Sequence, residues 1–113
     1  MSRLEACRWL KSNQSEHAFA GNRFNSNEAA LRFIENLYQK GALSVIIDNI
    51  FRERWRIKEY GGPYADTLIV VMPEDHIQKE QLIQISQAEY NQSPAGFERI
   101  IDDEHNIIIF WWD

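Results

Sequence analysis

Three histidines, one cysteine and a run of acids are the residues that could carry acid–base, metal or nucleophilic chemistry in this chain. His17, His76 and His105 lie far apart in sequence, and neither an H-E-x-x-H nor a C-x-x-C spacing occurs. The segment "DDEH", residues 102–105, sets three carboxylates beside an imidazole. It lacks the ligand spacing of a calcium or zinc loop and has the composition of an exposed turn. His76 follows Glu74 and Asp75 in the first turn of a predicted helix, a position that suits a surface residue better than a ligand. Cys7 falls on the apolar side of another predicted helix, which suits packing better than a reactive thiol. Ser44, Ser86 and Ser93 have no G-x-S-x-G context, and no glycine-rich phosphate loop is present. No catalytic set, metal or cofactor is expected from these residues.

Binding chemistry is better represented. In "FRERWRIKEY", residues 51–60, Arg52, Arg54, Arg56 and Lys58 occupy every second position. Read as a strand, they would share one face at about 7 Å spacing, with Trp55 and Ile57 on the other. Four cations and two anions give this segment a charge of +2, against −5 for the chain, so the remainder carries −7. The strip is either a solvated edge-strand face or a docking surface for an acidic partner or anionic ligand. "GGPYAD", residues 61–66, follows as a turn, with Tyr64 and Asp66 adding polar reach beside Asp48. "FWWD" closes the sequence; in a strand, Trp111 and Trp112 point to opposite sides, so one leaves the core unless the N-terminal helix covers it.

The elements that would position these groups belong to one domain, residues 1–113. It divides into an accessory N-terminal helix and linker (1–16) and an α/β sandwich core (17–113). Apolar residues make up 44% of the chain and 14 residues are aromatic, enough to bury a core without disulfides, which a single cysteine could not form. The acidic balance disfavours nucleic acid and membrane surfaces as partners. The glycine and aromatic pattern of an RNA-binding sheet is also missing. No apolar run is long enough for a membrane span, and the lone cysteine fits a reducing cytoplasm.

Ser2 and Glu5 have capping-box spacing ahead of a helix to residue 12. A short strand is expected at 17–24. A helix follows to Gly41, capped by Asn25 or Ser26, with Ala30, Phe33, Ile34, Leu37 and Tyr38 on one stripe. Strands are predicted at 42–50, 52–59 and 65–73. A second helix starts at Pro73 and is lined by Ile77, Leu82, Ile85 and Ala88, and a hairpin or bent strand ends the chain. Apart from the first helix, the order is β-α-β-β-α-β. It predicts an α+β fold of the ferredoxin-like kind, an antiparallel sheet with two helices on one face. The function this predicts is a small non-enzymatic domain acting through protein contacts, as a homo-oligomer or accessory subunit. The alternative is a binding protein or enzyme for a small anionic metabolite, held by Arg52–Arg56 and the Asp48/Tyr64/Asp66 loops.

Overall fold

The computed structural model describes residues 4–112. Along them run α1 (Ala6–Ser12), α2 (Asn27–Gln39), β1 (Ser44–Phe51), α3 (Arg54–Tyr60), β2 (Tyr64–Val71), α4 (His76–Gln92), β3 (Phe97–Asp102) and β4 (Ile107–Trp112). The four strands form one antiparallel sheet in the order β1-β2-β4-β3. This is an α+β fold with four helices; its chain ends in the two strands β3 and β4, the hairpin alternative, and its element order differs from β-α-β-β-α-β in two further places.

The first is residues 17–24. Phe19 makes only an isolated parallel bridge to Ala65, through Ala20 N–H to Ala65 C=O and Ala65 N–H to Ala18 C=O, both 2.9 Å. Ala20 then takes a left-handed conformation (φ 41°), and its carbonyl accepts from the Arg23 and Phe24 amides, so the chain turns instead of extending. The second is residues 52–59, expected as a strand and found as α3. The β1–β2 ladder already closes at Phe51↔Tyr64, so the basic stretch has no neighbouring strand to pair with. Its Arg, Lys and Glu residues tolerate a helix well, and Gly61 (φ 91°) ends it in the left-handed region by donating to the Ile57 carbonyl.

The other elements stay close to expectation. Glu5 caps α1, its carboxylate accepting from the Cys7 and Arg8 amides; Ser2 lies outside the described residues. Ser26 caps α2 through the Ala29 amide, and Ala30, Ile34 and Leu37 are its buried stripe. Pro73 stays outside α4, which starts after Asp75, the residue that caps it. The buried line of α4 is Leu82, Ser86 and Glu89, while the expected Ile77 is 70% exposed.

Alternation along the strands divides the sheet into two faces. Val45 and Ile47, Leu68 and Val70, Phe97, and Ile108, Phe110 and Trp112 point into one core with the buried residues of α1, α2 and α4. Trp112 is its centre, within 6 Å of the Phe19, Phe24, Phe33, Phe97 and Phe110 rings. Its indole N–H donates to Glu89 Oε1 at 3.0 Å. Arg23 closes that buried carboxylate from the other side, Nε at 2.8 Å and Nη2 at 3.0 Å.

Tyr38 ties α2 to α1 and β1: its hydroxyl donates to Glu5 Oε2 at 2.7 Å and accepts from the Val45 amide at 3.1 Å. Burial, then the hydrogen bond to Glu5, pushes the phenol from its ordinary 10 up to about 12. Burial raises Glu5 too, but the hydrogen bonds from Tyr38, Arg8 and Cys7 together hold it below the usual glutamate value. A raised phenol pKa contributes stability that is whole below pH 10 and is lost as pH rises through about 12. Tyr38→Phe removes both bonds and is expected to cost about 1–2 kcal/mol at neutral pH. Urea unfolding at a series of pH values should show the wild type losing more stability than the variant across that alkaline window. Equal losses would contradict the assignment.

Candidate functional site

Two surfaces collect chemistry: a groove beside α3 and the sheet face turned away from α1, α2 and α4. The groove is formed by the α1–α2 loop, α3 and the start of β2, and has a volume of about 560 Å³. Gln14, Ser15, Glu16 and His17 line one wall; Trp55, Arg56, Glu59 and Tyr60 line another, with Gly62 and Tyr64 between. Asn13 holds the loop to the turn, its Nδ2 donating to the Pro63 carbonyl and its Oδ1 accepting from the Ser15 amide, both at 2.9 Å. Gly62 belongs there because a Cβ would collide with the Asn13 side-chain oxygen.

The basic residues do not form one strip. A helix turns 100° per residue, so Arg54 and Lys58 share a side of α3 while Arg56 points nearly opposite. Arg52, Arg54 and Lys58 are exposed. Arg56 folds inward over Trp55 (4.6 Å), Tyr64 (5.3 Å) and Phe51 (5.7 Å), and its Nε donates to Glu53 Oε1 at 2.9 Å. The hydrogen bond from Arg56 holds the Glu53 carboxyl below its usual range. Of the residues singled out in the sequence, Arg56 and Tyr64 thus meet in the groove. His17, Trp55 and Tyr60 join them without having been expected; the aromatics interleaved with the basic residues of 51–60 were the signal legible in the sequence, and both rings are just over half exposed.

Asp48, Asp66 and Trp111 lie at the sheet instead. Asp48 pairs with Thr67 across β1 and β2, and Thr67 with Trp111 across β2 and β4. Asp66 Oδ1 accepts from Asn49 Nδ2 (2.8 Å) and Thr67 Oγ1 (2.9 Å), and its Oδ2 accepts from Trp111 Nε1 at 3.3 Å. Asn49 is left-handed (φ 54°), and the Asn49–Asp66 position is missing from the ladder, so this cluster marks a local break in the β1–β2 pairing. Trp112, offered by the sequence as a contact residue, is 1% exposed and belongs to the core; only Trp111 leaves it.

The second face has a regular order. Ile46↔Ile69, Ile69↔Ile109 and Ile100↔Ile109 are register pairs, so one row of isoleucines crosses all four strands. Ser44, Val71, Ile107 and Asp102 form the row on one side, and Asp48, Thr67, Trp111 and Glu98 the row on the other. None of the row isoleucines belongs to the core cluster. Ile100 is 59% exposed, whereas Ile46, beside the Leu4–Glu5 segment at the β1 edge, is largely covered. Asp48, Glu98 and Asp102 form a carboxylate rim around the aliphatic centre. Asp102 accepts from the His105 amide and faces His105 Nδ1 at 2.9 Å, and the hydrogen bonding with His105 holds its pKa down.

Among the described residues no set of three His, Cys, Asp or Glu side chains is placed to hold a metal ion, and no helix is long and apolar enough to cross a membrane. Cys7 packs partly against the core, and burial, then the Glu5 charge, raises its thiol pKa, which disfavours the thiolate. No protein-family model, curated protein or solved structure matches the chain.

Proposed function

We propose that this chain is a non-enzymatic protein-contact domain whose working surface is the sheet face opposite the core, and that the partner on that face is a second copy. The row Ile46–Ile69–Ile109–Ile100 carries this reading. Ile69, Ile109 and Ile100, the part of the row that Leu4–Glu5 leaves uncovered, gain from being taken out of water, by about 25 cal/mol per Å². Four strands and three rows span roughly 20 Å by 20 Å, of which Ile46 and Thr67 are already covered, so the contact would be a small one.

A two-fold contact must place one patch on itself. An axis across the strands does so, laying one isoleucine row on the other. By the register pairs, the same axis lays the Ser44–Asp102 row of one copy over the Asp48–Glu98 row of the other. Asp102 and Glu98 of the two copies then face each other at the solvated rim, a like-charge pair that salt screens. In this reading the domain works in the cytoplasm, where Cys7 stays a thiol. Sedimentation equilibrium of the wild type beside an Ile109→Glu variant tests it: a dimer that the substitution dissociates supports the reading, and a wild-type monomer at every concentration refutes it.

A further inference from the structure

The groove beside α3 lies apart from the sheet face and has the make-up of a small-molecule site. We propose that it binds a free zwitterion bearing a flat aromatic ring, an amino acid of the tryptophan or tyrosine class. Three observations converge. Arg56 is held in place before any ligand arrives, by Glu53 on its Nε and by the Phe51, Trp55 and Tyr64 rings against its plane. No described residue accepts from its Nη atoms, so their edge is available to a carboxylate. Glu16 and Glu59 line the same groove, and among the described residues neither side chain has an ion-pair partner. They suit an ammonium and would repel a ligand carrying only negative charge. Trp55 and Tyr60, with ring centroids 6.4 Å apart and planes at 71°, leave apolar surface open to a ring that packs edge or face against them. The volume of about 560 Å³ falls within the range of small-ligand sites.

Titration of ¹⁵N-labelled protein with L-tryptophan, tryptamine, indole-3-acetate and N-acetyl-L-tryptophan tests the assignment. The last three each lack one of the two charges. L-tryptophan is expected to move the amides of Ser15, Glu16, His17 and residues 55–60 and to leave Ile69 and Ile109 in place. Each analogue should bind weaker by about tenfold or more. Arg56→Met should weaken L-tryptophan without weakening tryptamine. The pair Glu16→Gln and Glu59→Gln, on exposed side chains that the fold does not need, should weaken L-tryptophan without weakening indole-3-acetate. The acid pair and the analogue series decide the matter even if Arg56→Met disturbs α3. Unmoved groove amides at millimolar L-tryptophan, or single-charge analogues that bind as tightly, would overturn the proposal. Neither outcome bears on self-association through the sheet.

Discussion

Replacing Arg23 by Ala lowers the free energy of unfolding by about 3 kcal/mol, the low end for breaking a buried ion pair, because Arg23 itself is partly exposed. The loss comes mainly from what stays behind. Glu89 is buried on α4 and shares its Oε1 between Arg23 Nε and the Trp112 indole N–H. Without the guanidinium, a carboxylate is left in the core with one neutral donor. Arg23 also lies 4.5 Å from the centre of the Phe24 ring, a cation–π contact worth about 1 kcal/mol. Arg23→Lys keeps the charge but loses the two-pronged bond to Oε1 and Oε2, so it should fall between wild type and Arg23→Ala. Urea midpoints at unchanged m-value measure both. For a domain whose total stability is on the order of 10 kcal/mol, the Ala variant should be clearly weakened yet still folded. A change below about 1 kcal/mol would mean that the pair does not hold the 17–24 segment to α4 and β4.

Replacing Ile109 by Glu acts on association more than on folding. Ile109 sits at the centre of the isoleucine row, between Ile69 and Ile100, and outside the core cluster. In the monomer Ile109 is half-buried on an inner strand, so a carboxylate there should cost about 1–2 kcal/mol and leave the domain folded. In a face-to-face dimer two such carboxylates, one per copy, would be desolvated against aliphatic surface. The dissociation constant should rise on the order of a hundredfold or more. Ile100→Glu, on the edge strand where water reaches the side chain, should have a smaller effect. Equal effects at the two positions would contradict a contact centred on Ile109.

Where hydrophobic period and local stop signals agreed, the sequence was a good guide. The stripe Ala30–Ile34–Leu37 with Ser26 and Gly41 fixed α2, and the β-branched runs fixed β1, β2 and the β3–β4 hairpin. It misled where a short alternation met no partner strand. Arg52 to Lys58 alternate, but alternation over so few residues suits a helix as well, and the Gly61 stop was the decisive feature. The "AFAGN" stretch failed for a related reason: Ala20 adopts a left-handed turn that ordinarily calls for glycine or asparagine. Glu89 and Ser86 were invisible as core residues because their partners, Arg23, Trp112 and Arg99, come from distant segments. The candidate surfaces were legible in part. Trp111 and Trp112 were expected on opposite sides of a strand, but which one faced the core depended on strand register. Arg56 and Tyr64 were singled out, yet their meeting in one groove depended on α3 being a helix.

Isotope-filtered nuclear Overhauser spectroscopy tests the central claim most directly, on a mixture of protein with labelled isoleucine methyl groups and unlabelled protein. Self-association through the sheet predicts intermolecular cross-peaks from the methyls of Ile69, Ile100 and Ile109 to aliphatic protons of the unlabelled copy. A spectrum in which these methyls see only their own chain, at concentrations where the protein sediments as a single species, would contradict it.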